Sequence, residues 1–450
     1  MKRTYMHEYH NTRNTRIIQQ QELRRTRRLE LLHKLRTNTV AAHSSLPNYE
    51  NIKNGILSLN LRVVYDSVYQ FRQILCRTEA PPIQEMVQTH LVPRFVELLS
   101  LNNILYTDAK EKALINSCRT EAAWVLTNIA SGDTQQTSTI IENGGIPLLF
   151  KMLNENDDIA DQAIWCLSNI AGDKEVFRDN ILHFPKSLEL LFDLYKRNNA
   201  NLTKNVTWLL SNLCRGKNPV IEHKKAAIII KVFTNLLKSN DTDVVHDVIW
   251  GISYIIDGNF KVIDKELITY LYSLLTQLCD LKGTESTNVP RNLTAPLIRC
   301  IGNACVVSDD VMTFLMSNSL LGVLKSLFFK ISAPKLRREI CWIISNVSLS
   351  YDITEAYEVL FYVLDNLERS IQIEALYALM NLEDNTIYDK ILKHMINLSN
   401  HSEELNDEIV KCVERNCARD AINISLSKSS KILDFISSER SEQVKLRFDL

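Results

Sequence analysis

Glu121-Ala-Ala-Trp-Val-Leu-Thr-Asn-Ile-Ala-Ser-Gly132 decides the fold, because the 450-residue chain returns to this stretch at a nearly fixed interval. It recurs as Asp161-Gln-Ala-Ile-Trp-Cys-Leu-Ser-Asn-Ile-Ala-Gly172, as Asn205-Val-Thr-Trp-Leu-Leu-Ser-Asn-Leu-Cys214 and as Glu339-Ile-Cys-Trp-Ile-Ile-Ser-Asn-Val-Ser348. The common unit is Trp-x-x-x-Asn. Partial copies follow in Asp247-Val-Ile-Trp-Gly-Ile-Ser-Tyr254, Arg299-Cys-Ile-Gly-Asn303 and Glu374-Ala-Leu-Tyr-Ala-Leu-Met-Asn381. Phased on the Trp position, the copies stand at Trp124, Trp165, Trp208, Trp250, Arg299, Trp342 and Tyr377, in steps of 41, 43, 42, 49, 43 and 35 residues. All five tryptophans share this phase.

A period near forty, filled with apolar helical pattern and almost no strand signal, predicts stacked helical repeats of the armadillo or HEAT kind. At about 100° per residue, Asn128 lies near 40° from Trp124, Glu121 near 60° and Ser131 near −20°, so the four share a narrow stripe. Ala122, Ala123, Leu126 and Ala130 fall on the opposite face, which reads as the core stripe. The Trp and Asn are therefore expected to look outward. One turn before the Trp position stand Glu121, Gln162, Asn205, Asp247, Glu339 and Glu374, and a core stripe does not repeat carboxylates.

Stacking turns such a stripe into a ladder of indoles, amides and carboxylates. An amide both donates and accepts, so a row of Asn can hold an extended peptide by its backbone. Indole faces attract a cation by about 0.5–2 kcal/mol, and the carboxylates select Lys and Arg. Asp173, just past Ala171-Gly172, adds an acid where the negative end of a helix also favours a cation.

This constellation resembles the importin-alpha family, adaptors that carry basic nuclear localisation signals, and the likeness covers most of the chain. Its closest matches are Glu121 to Gly132, Asp161 to Asp173, Trp208 to Lys217, Trp250 to Gly258 and Cys341 to Ser348; Pro81-Pro82-Ile83 with Leu91 to Leu99 looks like the family's first repeat. The resemblance implies an all-α, armadillo-repeat, right-handed superhelical solenoid with a basic N-terminal arm. It implies a major cargo site at Glu121, Trp124, Asn128, Ser131, Gly132, Thr137, Gln162, Trp165, Asn169, Asp173, Asn205, Trp208, Asn212, Asp247 and Trp250. A minor cargo site is implied at Tyr254, Arg299, Asn303, Glu339, Trp342, Asn346, Glu374, Tyr377 and Asn381. Arg299 takes a Trp's place between the two and would break the ladder electrostatically.

Net charge is −1, yet residues 1–36 carry ten Lys and Arg against Glu8, Glu22 and Glu30, while the remainder is net −8. A basic arm on an acidic body suggests either self-association or a basic ligand for the body and an acidic partner for the arm. Residues 11–36 combine strong helix formers with Leu23, Leu31, Leu32 and Leu35. By resemblance, Glu22 to Glu30 is the helix that binds an importin-beta-type carrier, through Arg13, Arg16, Arg24, Arg25, Arg27, Arg28, Lys34 and Arg36. The family's self-inhibitory Lys-Arg-Arg cluster corresponds here to His33-Lys34-Leu35-Arg36, with only two fixed charges.

The expected organisation is an arm at 1–36, a flexible linker at 37–58, about eight to ten repeats over 59–425 with the last ones degenerate, and a tail at 426–450. Ten cysteines without a CxxC pair read as small buried hydrophobes in a reducing compartment. No apolar run reaches the roughly 18 residues of a membrane span, and no secretory signal core opens the chain. No phosphate loop, HExxH, nucleophile elbow or Cys-His constellation occurs, so neither an enzyme nor any cofactor or metal is implied; His246 reads as a surface or interface residue. The expected role is an import adaptor shuttling between cytoplasm and nucleus, without nucleic acid or membrane insertion, with an export receptor as a further partner at the C-terminal repeats. The alternative is an armadillo scaffold that binds extended partner segments outside nuclear transport.

Overall fold

The computed structural model describes residues 49–76, 81–101, 108–216, 220–279 and 290–382. Among the described residues there are helices and no strand. In chain order these are α1 (Tyr49–Ile56), α2 (Leu61–Leu75), α3 (Ile83–Val87), α4 (Val92–Leu98), α5 (Ala109–Ile129), α6 (Thr134–Glu142), α7 (Gly145–Met152), α8 (Asp157–Asp173), α9 (Glu175–Leu182) and α10 (Ser187–Tyr195). There follow α11 (Ala200–Leu213), α12 (His223–Leu236), α13 (Thr242–Asn259), α14 (Lys265–Cys279), α15 (Thr294–Val307), α16 (Asp309–Ser317), α17 (Leu320–Lys330), α18 (Pro334–Val347), α19 (Tyr357–Asn366) and α20 (Arg369–Met380). Two short helices followed by a longer one form the repeats α6–α7–α8, α9–α10–α11 and α16–α17–α18, whereas α12–α13, α14–α15 and α19–α20 are helix pairs. The fold is an all-α armadillo solenoid.

Local chemistry sets the boundaries. Asp133 opens α6 with a reciprocal capping box, its carboxylate accepting from the Gln136 amide while the Gln136 side chain accepts from Asp133 N–H. Asn156 caps α8 through Ile159 N at 3.1 Å, so the polar run 154–158 does start the next helix. Gly144 adopts φ +75° at the head of α7, a left-handed turn that suits glycine. Lys186 and Ser319 hold the same conformation before α10 and α17 at φ 56° and 61°, where a Cβ makes it costly.

The described chain falls into two compact units, one with the residues up to Gln277 together with those of the 290–307 segment, the other with Leu278, Cys279 and residues from Ser308 onward. In the first unit the stripe-bearing helices pack in series, α2 on α5, α5 on α8, α8 on α11, α11 on α13 and α13 on α15. In the second, α18 packs on α20. The expected core stripe is buried throughout: Ala122, Ala123, Leu126 and Ala130 are all solvent-inaccessible. Small residues there let neighbouring long helices approach closely.

The linker expectation is corrected at its end. Residues 49–56 form α1, which packs on α2 with Ile52 and Ile56 buried, because the i, i+4 pair gives this short segment an apolar face. The arm and its basic residues Arg13, Arg16, Arg24, Arg25, Arg27, Arg28, Lys34 and Arg36 lie outside the described residues, as do the degenerate repeats beyond 382 and the tail. Most of the insertion expected near 282–292 also lies outside them. Among the described residues no single helix is long and apolar enough to cross a membrane.

Candidate functional site

The outward orientation expected of the asparagines is corrected. Asn128 and Asn169 are 0% exposed and Asn212 is 3% exposed. The reason is a set of hydrogen bonds between successive repeats. Asn169 Nδ2 donates to the Thr127 carbonyl at 3.0 Å, Asn212 to Ser168 at 3.0 Å, Asn303 to Ser253 at 2.9 Å, and in the second unit Asn381 to Ser345 at 3.5 Å and to Ser348 Oγ at 3.0 Å. Each amide reaches the carbonyl that stands three residues past the Trp phase of the preceding helix. At α5 and α18 the amide instead turns back on its own helix, Asn128 to the Trp124 carbonyl at 2.9 Å and Asn346 to the Trp342 carbonyl at 3.0 Å. The primary amide is thus a stitch between repeats as well as a candidate contact.

The indoles are only partly outward. Trp124, Trp208 and Trp250 are half-buried, whereas Trp165 and Trp342 are 7% exposed. On α13, Trp250 stacks on Tyr254 with centroids 6.1 Å apart and an interplanar angle of 19°. Its Nε1 donates to His246 Nε2 at 3.3 Å, which fixes the His246 tautomer with its proton on Nδ1, 3.4 Å from Asp247. Asp247 therefore answers to His246 within its own helix.

The α8 stripe has a different character. Gln162 Oε1, Asn169 Oδ1 and Asp173 Oδ2 are buried acceptor oxygens with no hydrogen-bond partner among the described residues. They flank Trp165 on one helix, at three residues before, four after and eight after. The other oxygen of Asp173 accepts from the Thr134 hydroxyl of α6 at 2.9 Å. Asp173 is the last residue of α8, and its carbonyl accepts from Arg215 Nη2 at 3.1 Å, so part of the negative helix end is already compensated. Asn205 Nδ2 donates to Asp161 at 2.7 Å; burial, then the neighbouring Asp158 and Asp157, raise the Asp161 carboxyl, and Asn205 opposes the rise.

At α5 the expected open carboxylate is occupied. Arg72 of α2 forms an ion pair through Nε with Glu121. Its guanidinium carbon lies 4.2 Å from the Trp124 ring centroid and 4.8 Å from that of Tyr69. Burial raises the Glu121 carboxyl, with Arg72 pulling the other way. In the second unit Glu374 is buried and paired with Arg338 at 3.5 Å. Neither arginine was singled out by the sequence: the Arg72–Glu121 pair spans 49 residues, outside the 41–43 step of the clearest copies.

The remaining expected residues fall as follows. Thr137 is buried and its hydroxyl donates to the Asp133 carbonyl, so it holds α6 and is not presented on the stripe. Ser131 is likewise buried, donating to the Asn128 carbonyl at 2.6 Å, and Gly132 beside it is half-buried. Tyr254, Arg299 and Glu339 are half-buried. Arg299 and Asn303 belong to the first unit, and Glu339, Trp342, Asn346, Glu374 and Asn381 to the second; the Tyr377 side chain lies outside the described ones.

Comparison with known proteins agrees with this architecture. The armadillo/beta-catenin-like repeat family matches residues 133–172, which hold α6, α7 and nearly all of α8. The chain is 34% identical over 194 residues to importin subunit alpha-6 of Arabidopsis thaliana, across 43% of this chain and 34% of that protein. It is 31% identical over 360 residues to importin subunit alpha-1a of Oryza sativa subsp. japonica, across 73% of this chain and 61% of that protein. The chain thus spans between 34% and 61% of the length of these two curated relatives. An engineered protein of known crystal structure shares the fold, with a TM-score of 0.57 and 18% identity over 82% of this chain and 99% of its own.

Proposed function

This chain belongs to the importin-alpha family, and from that premise we propose that it is a nuclear import adaptor that holds Lys/Arg-rich localisation signals along the α5–α8–α11–α13 stripe. The observation that carries this reading is the trio of acceptors on α8 without a hydrogen-bond partner among the described residues, Gln162 Oε1, Asn169 Oδ1 and Asp173 Oδ2. A buried acceptor without a donor costs roughly 1–3 kcal/mol, and a ligand rich in N–H groups removes that cost. Lysine ammonium groups and peptide N–H groups are such donors, and the ring of Trp165 on the same helix favours cations. All three oxygens are shielded from bulk solvent, so docking must part the side chains over them.

In this reading the chain's basic N-terminal arm engages an importin-beta-type carrier whose contact surface is acidic, and the protein shuttles between cytoplasm and nucleus. The −8 balance of the body supports a basic ligand, and the +7 arm supports an acidic partner. A second basic segment would use Trp342 and Asn346 on α18. The test is a titration of a fluorescent Lys/Arg-rich peptide against the full chain, against a chain lacking residues 1–36, and against Asp173→Lys. Binding that weakens at high salt and is lost in Asp173→Lys supports the reading. Equal binding by Asp173→Lys, or none by any of the three proteins, sinks it.

A further inference from the structure

The α5 end of the stripe differs from the α8 end in one respect. On α8 the acceptors await donors; on α5 the chain has brought its own. Arg72 is 4% exposed, its guanidinium carbon lies within 5 Å of two aromatic rings, at 4.2 Å from Trp124 and 4.8 Å from Tyr69, and its Nε is paired with Glu121. Nη1 adds a contact to Cys76 Sγ at 3.9 Å. Two rings and a carboxylate are the parts of a cation slot.

We propose that Arg72 is a built-in ligand, filling the first cation slot of the ladder and so fixing where an extended basic peptide must stop. The proposal rests on the reading of the stripe as a basic-peptide groove. Its sequence setting matches its role. Arg72 lies in the last turn of α2, which is capped by Cys76 and packs on α5 as α5 packs on α8. A guanidinium on α2 cannot serve as an indole wall, but it can occupy the slot formed by Trp124 and Tyr69. With Glu121 neutralised by Arg72, that end offers an incoming Lys or Arg no net attraction. Recognition of cations then begins at α8, where Gln162 stands at the place of Glu121 and its Oε1 has no donor among the described residues.

The experiment uses the full chain, the variant Arg72→Ala, and the double variant Arg72→Ala/Glu121→Gln. Each is titrated with a Lys/Arg-rich core peptide and with the same peptide extended by one arginine at either end. In the natural chain neither added arginine should tighten binding. In Arg72→Ala one of the two extended peptides should bind about tenfold tighter than the core peptide, and in the double variant that gain should vanish. An equal gain in the natural chain, or none in Arg72→Ala, overturns the proposal. Arg72→Ala leaves Glu121 buried without its countercharge, so a second readout is needed. Millimolar methylguanidinium should raise the thermal midpoint of Arg72→Ala, or restore its helical circular dichroism if it is unfolded, whereas methylammonium should do less and the natural chain should not respond. Failure of methylguanidinium to stabilise or refold Arg72→Ala also overturns it. If the core peptide binds none of the proteins, the adaptor reading fails, and the methylguanidinium result still decides whether the slot exists.

Discussion

Asp173 accepts a hydrogen bond from the Thr134 hydroxyl at 2.9 Å with one carboxylate oxygen, while the other, on the same half-buried side chain, has no partner among the described residues. The bonded oxygen fixes the rotamer. The unbonded one is then held ready for a donor at the end of α8, beside the Trp165 stripe.

Asp173→Lys is therefore expected to weaken a basic peptide by at least about tenfold, since it replaces a charge-assisted contact with repulsion. Thr134→Val should have a smaller effect of the same sign, because it frees the Asp173 rotamer without removing its charge. Fluorescence anisotropy at physiological salt, with circular dichroism to confirm the helical content, checks both.

Asn169→Ala should lose stability as well as binding. The buried Thr127 carbonyl forfeits its donor from the next repeat, at a cost of about 1–3 kcal/mol. Urea denaturation of the variant against the natural chain measures this. An unchanged midpoint would show that the inter-repeat bond contributes nothing.

Gly251→Ala should also destabilise, although alanine is the better helix former by about 1 kcal/mol. A Cβ at Gly251 would stand 2.4 Å from the Phe233 ring and 3.3 Å from the Ser211 backbone. Phe233 is fully buried, so its ring has no free space to retreat into. Overpacking of this kind costs about 1–3 kcal/mol, and a thermal midpoint that rises in Gly251→Ala would contradict the packing argument.

Asp161 gives a pH dependence whose sign can be stated. Its folded-state carboxyl lies above the ordinary value of 3.8, through burial first and then Asp158 and Asp157. The folded chain therefore holds that proton more tightly than the unfolded chain. Its contribution to stability is present below pH 3.8 and is lost as pH rises through the raised value. Asp161→Asn keeps an acceptor for Asn205 and removes the buried charge. Relative to the natural chain, the variant should gain stability between that acid limit and neutrality, as read from urea midpoints across pH.

The buried cysteines among the described residues should be inert in the folded protein. Burial pushes the thiols of Cys118, Cys166 and Cys305 up to about 12, which leaves almost no thiolate at pH 8. Among the described cysteines Cys279 is half-buried and the others are buried. Iodoacetamide labelling followed by mass spectrometry should find Cys279 modified first within this set, and the rest only on denaturation.

The Trp phase made the helices and the core face legible, since a 3.6-residue period places Ala122, Ala123, Leu126 and Ala130 together whatever lies around them. It could not reveal the amide stitches. Asn169 lies on the outward side of its own helix, but Thr127 of the preceding helix comes close enough to bury it, and that proximity is set by packing between repeats. Arg72 stayed hidden for a related reason: the interval separating it from its partner Glu121 falls outside the clearest period, so no alignment of copies brought them together. The helix at 49–56 was missed because eight residues with two isoleucines carry little periodic signal until α2 supplies the surface they cover.

The amide stitches also bear on how the solenoid responds to shear. Apolar faces attract without direction, so helices joined by them alone can slide along one another by a turn, about 5.4 Å, and find a similar surface. Directional bonds from Asn169 to Thr127 and from Asn212 to Ser168 forbid that slip, because every rung must break before the next alignment is reached. They work as keys in a shaft. On the proposed reading, the spacing from α5 through α8 to α11 is thereby held at a fixed length, against which an extended peptide would be measured.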